Sequence, residues 1–201
     1  MHVAFRGTEN IRDALSNIDV RRVDAKFQGR QVRLHSGFYR QYASIQSELR
    51  ALIRQQTASR EVDTIYLTGH SLGGALATIA AADVATMFPE TPVHCYTFGA
   101  PRTGDAAFVH LFDQHVSSNL RVVNEDDPVP MVPISPRFQH VSNGIVIDDK
   151  GVITAAKTDL PWFVRPLLGL AYLDPSAPIR DHDCGVYIGR LGALRSPHTR
   201  H

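Results

Sequence analysis

The amino-acid sequence predicts an α/β fold with a predominantly parallel central sheet and helices on both faces. Short β-branched or apolar runs alternate with helical patterns along the chain. No internal repeat, low-complexity segment or linker divides the 201 residues, so we expect one domain over 1–201. With 43% hydrophobic and 20% charged residues, the composition is typical of a globular protein rather than a disordered one.

The first half of the sequence alternates short apolar runs with longer helical patterns. The predicted elements are strand Val3–Phe5, an extended pair Val20–Phe27 and Gln31–His35, a helix from Gly37 to about Ala58, strand Thr64–Thr68 and helix Ala75–Phe88. Helical periodicity places six apolar residues of the first helix on one stripe: Phe38, Tyr42, Ile45, Leu49, Leu52 and Ile53. The second helix is apolar almost all round, which indicates burial on every side.

The second half continues this alternation. The predicted elements are strand Val93–Phe98, a helix over about Asp105–Val116, strand Leu120–Val123, two antiparallel strands Gln139–Ser142 and Ile145–Ile147, an apolar helix Leu160–Leu173 interrupted by Pro166, and a last helix over about Cys184–Leu194. Every apolar stretch is far shorter than the roughly 20 residues that span a bilayer, so we expect no transmembrane segment.

Charge and cysteine content argue against several classes of protein. The net charge is +1, from 21 Lys and Arg against 20 Asp and Glu, without the basic patch that a nucleic-acid-binding protein needs. The two cysteines, Cys95 and Cys184, allow at most one disulfide and exclude a four-cysteine zinc site. The N-terminus lacks the pattern of a signal peptide. We therefore expect a protein that works in the cytoplasm as it stands, or is secreted after removal of an export signal.

The strongest chemical signal is the G-x-S-x-G pattern in Gly69–Gly74, which lies between a predicted strand and a predicted helix. This context is that of a nucleophile elbow, where a sharp turn exposes a serine at the edge of a sheet. The flanking glycines remove side chains that would collide with the strand and the helix. Ser71 is therefore the candidate nucleophile.

A serine nucleophile needs a base, and the base needs an orienting carboxylate. In folds with this elbow the carboxylate follows the serine in sequence and lies after a strand. The acidic loop after strand Leu120–Val123 offers Asp127, then Asp126, and as a distant third Glu125. Pro128 favours Asp127, because a residue before proline is restricted to an extended backbone.

Four histidines follow the acidic loop in the sequence. His182 is the candidate base, because it precedes the last helix, where a loop can bring it over the sheet edge. His140 is the alternative, although a histidine inside a predicted strand more often has a structural role. His198 and His201 lie in the C-terminal tail and are poor candidates. His70 lies in the elbow, and we expect it to brace the turn.

An oxyanion intermediate needs two N–H donors. Leu72, the residue after the serine, is expected to supply one donor. The loop that follows the first strand is expected to supply the other, from Thr8. No group of metal ligands with zinc or calcium spacing occurs, so we expect neither a metal nor a cofactor.

With these residues in place, the sequence resembles the class 3, fungal-type lipases, which have the α/β-hydrolase fold. The matching segments follow the family's order over nearly the whole chain: Val3–Thr8, His35–Phe38, Thr68–Ala77, Tyr96–Gly104, Arg121–Asn124 with Asp127–Pro130, and Asp181–His182 with Tyr187. The resemblance implies a triad of Ser71, Asp127 and His182, and an oxyanion hole of Thr8 and Leu72. It also implies a structural role for His140.

The sequence departs from this family near its start. Family members usually carry a helix and one or more strands before the Arg-Gly-Thr segment, whereas here Arg6–Thr8 almost begins the chain. The fold is therefore expected to be shortened at the N-terminal side of the sheet. The family places its lid in the segment that follows, and residues 9–18 form a short amphipathic pattern that fits a lid making transient contact with a lipid interface.

These features predict a serine carboxylic-ester hydrolase, above all a triacylglycerol lipase that works through an acyl-enzyme on an acylglycerol or another ester. The alternatives within the same chemistry are a short-chain or feruloyl-type esterase and a phospholipase A1. A non-catalytic module that binds lipid or a partner is the alternative from another class.

Overall fold

The computed structural model describes residues 1–8, 20–59, 62–156 and 180–194. Its strands are β1 (His2–Phe5), β2 (Arg22–Phe27), β3 (Arg30–His35), β4 (Ile65–His70), β5 (Val93–Phe98), β6 (Ser118–Asn124), β7 (Gly144–Ile147) and β8 (Ile153–Ala155). Its α-helices are α1 (Ser36–Ser59), α2 (Leu72–Met87), α3 (Ala106–His115) and α4 (Cys184–Ala193). Short 3₁₀ turns cover Val129–Met131 and Arg180–His182.

Six strands form the central sheet in the order β1-β4-β5-β6-β7-β8. The first five run parallel to their neighbours, and β8 pairs with β7 in the antiparallel direction. Strands β2 and β3 form a separate antiparallel hairpin, whose turn has positive φ at Gln28 and Gly29. Because parallel strands end at the same edge, the loops after β1, β4, β5 and β6 meet there.

Helices cover both faces of this sheet, as the sequence predicts. Helix α2 packs on the face formed by Ile65, Leu67 and Cys95. Helix α4 packs through Tyr187 on Val122, which lies on the opposite face because side chains alternate along a strand. Within the described ranges, no helix is long and apolar enough to cross a bilayer.

Two details of the sequence prediction are wrong. Residues 139–142 form no strand, because Gln139 makes one isolated bridge to Gly104 while the Val141 carbonyl accepts a hydrogen bond from the Arg121 side chain. The antiparallel partner of β7 is instead β8, which the sequence pattern missed. The apolar stripe of α1 is also narrower than expected, since Ile45 is 37% and Leu52 50% exposed.

Two predicted segments lie outside the described residues. They are the amphipathic segment 9–18 and the apolar helix Leu160–Leu173. Both therefore remain predictions from the sequence.

A buried carboxylate joins α1 to α2. Asp83 of α2 is 1% exposed and accepts a 2.5 Å hydrogen bond from the Tyr42 hydroxyl. The Arg50 guanidinium binds both Asp83 oxygens, at 2.9 and 2.5 Å, and the Gln46 amide donates to one of them at 3.1 Å. Burial, followed by the charge of Asp83, raises the pKa of Tyr42. The hydroxyl therefore remains a donor, and the network fixes the position of α2.

We expect Asp83→Ala to lower the free energy of unfolding by about 3 kcal/mol, because it leaves the buried hydroxyl of Tyr42 and the Arg50 guanidinium without their acceptor. Urea denaturation followed by circular dichroism measures the loss. Asp63→Ala is the matched control, since Asp63 is exposed, and it should change the stability by less than about 0.5 kcal/mol. Equal losses in the two variants would contradict the structural role of the network.

Candidate active site

Ser71 occupies a strained turn between β4 and α2. Its backbone has φ 58° and ψ −130°, a region that residues other than glycine rarely adopt. Such strain costs about 1–3 kcal/mol and persists only where the surrounding structure enforces it. The Ser71 N–H donates to the Phe98 carbonyl at 2.9 Å, and its side chain makes no capping bond to α2. The hydroxyl is therefore not used to cap the helix, and Ser71 as a whole is 3% exposed.

Three glycines allow the close packing around this turn. A Cβ on Gly69 would lie 2.2 Å from the Gly73 carbonyl oxygen, and one on Gly73 would lie 2.2 Å from the Phe5 carbonyl oxygen. A Cβ on Gly74 would lie 2.7 Å from the Ala100 Cβ. Since these distances are impossible for real side chains, the elbow requires glycine at all three positions.

Asp127 lies in the loop after β6, at the same sheet edge as Ser71, and is 3% exposed. Its Oδ1 accepts a 2.9 Å hydrogen bond from the Val129 N–H, and its Oδ2 accepts one from the Tyr187 hydroxyl at 2.5 Å. Burial raises the pKa of Tyr187, and the charge of Asp127 raises it further. Tyr187 therefore stays protonated and donates to the carboxylate.

His182 completes the environment of this carboxylate. Its Nδ1 lies 2.9 and 2.8 Å from the two Asp127 oxygens, and the side chain is almost fully buried. Gly99 makes room for the pair, because a Cβ there would lie 2.6 Å from Asp127 and 3.0 Å from the imidazole. The other ring nitrogen, Nε2, is buried and has no hydrogen-bond partner among the described residues. With a proton on Nδ1, Nε2 has a free lone pair and can act as a base.

A second layer of contacts holds the turn that carries His182. The Asn124 amide donates to the Asp181 carbonyl at 2.8 Å, and Arg190 of α4 forms a 3.0 Å ion pair with the Asp181 carboxylate. Arg190 also donates to the Ile147 carbonyl at the end of β7, at 3.2 Å. These bonds tie the histidine turn to α4 and to the sheet.

His70 packs directly on His182. The two rings are 4.5 Å apart, and His70 Nε2 lies 2.7 Å from the His182 carbonyl oxygen. Burial, followed by the proximity of His182, lowers the pKa of His70. A neutral His70 that donates from Nε2 supports the position of His182. Its observed contacts are thus with the histidine turn rather than within the elbow alone.

The candidate oxyanion donors lie on either side of Ser71. Leu72 is the first residue of α2, where backbone N–H groups have no acceptor within the helix. Thr8 follows Gly7, and a Cβ on Gly7 would lie 2.8 Å from the His70 carbonyl oxygen and 3.5 Å from the Ser71 Cβ. The loop after β1 therefore passes close beside the elbow.

The other candidates from the sequence lie elsewhere. Asp126 and Glu125 are exposed. His140 lies in a loop, where its Nε2 is 2.7 Å from the Pro130 carbonyl oxygen. His198 and His201 fall outside the described residues.

The sequence alone did not reveal that Tyr187 binds Asp127. Tyr187 lies 60 residues after Asp127. The available signal was the family match, which includes Tyr187 five residues after His182.

Neither cysteine nor metal chemistry is evident in the described part of the chain. Cys95 and Cys184 are free thiols, and burial raises the pKa of Cys95 to about 12. No group of three or more His, Cys, Asp or Glu residues in the described ranges is arranged to hold a metal ion.

A buried carboxylate, an imidazole with a free nitrogen and a serine in a strained turn are the components of nucleophilic acyl transfer.

Comparison with known proteins agrees with this geometry. The family model for lipase (class 3) matches residues 2–136. A chloroplastic phospholipase A(1), DAD1, from Arabidopsis thaliana is 35% identical over 65% of this chain and 33% of its own length. A secreted mono- and diacylglycerol lipase from Fusarium solani is 30% identical over 70% of this chain and 41% of its own.

The solved structures give the same result for the fold. A Rhizomucor miehei lipase propeptide complex superposes with a TM-score of 0.70 and 28% identity, covering 90% of this chain and 58% of that one. A lipase from Rhizopus microsporus var. chinensis gives 0.70 and 26%, covering 90% and 63%. The chain spans about a third to two fifths of the length of the curated relatives it matches. The sequence motifs, the elbow and these matches together show that the chain has the α/β-hydrolase fold and belongs to the class 3 lipase family.

Proposed function

We propose that this protein is a serine carboxylic-ester hydrolase that cleaves acylglycerols through an acyl-enzyme. The observation that carries the proposal is the buried Asp127–His182 pair, with Nδ1 on the carboxylate and Nε2 left without a partner in the described part of the chain. Ser71 lies at the same sheet edge in a strained turn. The similarity of this chain to known lipases, in sequence and in fold, supports the same reaction.

In the acylation step, His182 Nε2 takes the proton of the Ser71 hydroxyl as Oγ attacks the ester carbonyl carbon. The N–H groups of Thr8 and Leu72 donate to the oxyanion that forms. Asp127 holds Nδ1–H and stabilises the imidazolium. His182 then gives its proton to the leaving alcohol, and the acyl group stays on Oγ.

Water completes the reaction by the same steps. His182 takes a proton from water as the oxygen attacks the acyl-enzyme carbonyl, and the oxyanion occupies the same donors. The carboxylic acid leaves when Oγ recovers its proton from His182. The residues of this chain suffice for both steps, so the proposal includes no cofactor.

The proposed ester is an acylglycerol, because the fungal relatives are lipases and one of them is described as acting on mono- and diacylglycerols. Residues 9–18 remain the proposed lid, and their amphipathic pattern suits transient contact with a lipid surface. Phospholipase A1 activity is the second candidate, because the Arabidopsis relative at 35% identity bears that name.

Hydrolysis assays on matched substrates test the proposed function. The series is p-nitrophenyl esters from acetate to palmitate, emulsified triacylglycerol, and phosphatidylcholine vesicles, with Ser71→Ala as the blank. We expect turnover of long-chain esters and of the emulsion, reduced about 10⁴-fold or more in the blank. Turnover of phosphatidylcholine alone would favour the phospholipase, and turnover of short esters alone would favour an esterase. No turnover of any ester by the folded protein would refute the proposal.

The choice of carboxylate has its own test. Asp127→Asn should lower kcat by about 10⁴-fold, because the neutral amide no longer stabilises the imidazolium and its NH₂ group can donate to Nδ1, which favours the wrong tautomer. Asp126→Asn is the matched control, since it makes the same change on the exposed neighbouring residue, and it should leave kcat within about twofold. A larger loss from Asp126→Asn would move the carboxylate assignment by one position.

Tyr187 is proposed as a positioning residue that acts through Asp127. Tyr187→Phe removes the 2.5 Å hydrogen bond to Oδ2, together with the 3.0 Å bond that the hydroxyl accepts from the Asn124 N–H, but keeps the ring packed on Val122. A hydrogen bond to a charged group contributes about 1.5–3 kcal/mol, so kcat should fall about tenfold or more while KM stays unchanged. Tyr66→Phe, which makes the same change on a half-buried sheet residue, should alter neither constant. A fall in stability without any change in kcat would show a purely structural role.

A further inference from the structure

A cavity of about 340 Å³ lies over β6, β7 and β8, on the sheet face opposite α4. Strand residues Arg121, Val123, Val146 and Thr154 line its floor, and Met131 and other residues of the loop after β6 line its wall. Of the candidate catalytic residues that the structure describes, Asp127 borders the cavity, and Ser71 and His182 do not. The described lining of the cavity therefore includes neither the candidate nucleophile nor the candidate base.

Arg121 places an unusual charge in this cavity. The residue is only 5% exposed, and its Nε donates to the Val141 carbonyl at 2.8 Å. Its Nη2 is buried without a hydrogen-bond partner in the described ranges, and none of the ion pairs found there includes Arg121. Arg102, also 5% exposed, lines the same cavity and donates to the Pro133 carbonyl at 3.3 Å. Two guanidinium groups thus border one small space.

A buried guanidinium without an opposite charge is unfavourable, because it has lost its hydration and gained no ion pair. Burial lowers the pKa of Arg121 to about 10, and the charge of Asp113 only partly opposes this shift. The group therefore remains charged at neutral pH. Its Nε already donates to the Val141 carbonyl, so its Nη groups remain to donate to a carboxylate, the acceptor with which arginine forms its strongest hydrogen bonds.

Two carboxylates at the cavity do not neutralise this charge. Asp127 already binds the Val129 N–H, the Tyr187 hydroxyl and His182. Glu125 is exposed to solvent, where its charge is hydrated and screened. An incoming anion would thus meet in Arg121 a guanidinium that has no ion-pair partner among the described residues.

The rest of the described lining is mainly apolar, which indicates that the ligand has an apolar part beside its anionic group. Val123, Pro130, Met131, Val146 and Ala155 present hydrocarbon surface to the cavity. A volume of this size is at the lower end of the range for small-molecule sites. We propose that this cavity binds a monocarboxylate with a short apolar tail, its carboxylate on Arg121 and its tail against Met131 and Val146.

The alternative explanation is structural. Arg121 would then serve only to hold the Val141 carbonyl and the loop after β6, and the cavity would take no ligand. This alternative predicts that a carboxylate and its neutral amide behave alike. The proposal predicts that only the carboxylate enters.

A methyl NMR titration separates the two explanations. The chain has three methionines, and Met131 lines the cavity whereas Met1 and Met87 lie elsewhere. Protein labelled with ¹³C at the methionine methyl groups is titrated with sodium octanoate and, separately, with octanamide, and Met131→Leu assigns the signal. We expect octanoate to shift the Met131 signal saturably while the Met1 and Met87 signals stay fixed. Octanamide should bind at least about tenfold more weakly than octanoate.

Two variants test whether the charge of Arg121 is the one that binds octanoate. Arg121→Met should lower the octanoate affinity about tenfold or more, as expected for the loss of a charged hydrogen bond. Arg137→Met is the matched control, because Arg137 is an exposed arginine of the same loop, and it should leave the affinity unchanged.

Three results would overturn the proposal: a Met131 signal that octanoate does not move, equal binding of octanamide, or unchanged affinity in Arg121→Met. If Arg121→Met fails to fold, the comparison of octanoate with octanamide on the wild-type protein still decides. None of these readouts requires ester hydrolysis, so the proposed ligand of the cavity and the proposed function can be refuted independently of each other.

Discussion

The buried negative charge of Asp127 is the interaction on which the candidate site depends. A carboxylate removed from water is tolerated only when donors surround it, and here the Val129 N–H, the Tyr187 hydroxyl and His182 Nδ1 do so. These donors come from the loop after β6, from α4 and from the turn before α4. The hydrogen bonds to this charge therefore hold α4 in its position against the sheet. The position of α4 in turn fixes the orientation of the His182 ring and of its free nitrogen.

The same sheet edge brings the serine into place through close backbone packing. Gly69 and Gly73 let α2 begin directly against β1 and β4, and the strained conformation of Ser71 follows from that contact. The other end of α2 is tied to α1 by the carboxylate of Asp83. A helix fixed at both ends can hold a backbone strain of about 1–3 kcal/mol at its first turn. The rigidity of α2 and the strain at Ser71 are thus two aspects of one arrangement.

The sequence predicted what local pattern encodes. The strand-turn-helix around Ser71 and the acidic loop with Asp127 both carry short signals in glycine, proline and apolar spacing. Contacts between distant residues carry no such signal, so the bond from Tyr187 to Asp127, the ion pair of Arg190 with Asp181 and the pairing of β8 became visible only in the structure. The predicted strand at residues 139–142 is wrong for the same reason, since a contact between distant residues decides it: the Val141 carbonyl accepts a hydrogen bond from the Arg121 side chain of β6.

The most direct test of this account is the tautomer of His182 at neutral pH, measured from the ¹⁵N chemical shifts of its ring and identified by the signals lost in His182→Gln. The account predicts a proton on Nδ1, bound to Asp127, and an unprotonated Nε2. A proton on Nε2 in the neutral ring would contradict it, because the nitrogen that faces away from Asp127 would then be unable to accept a proton from Ser71.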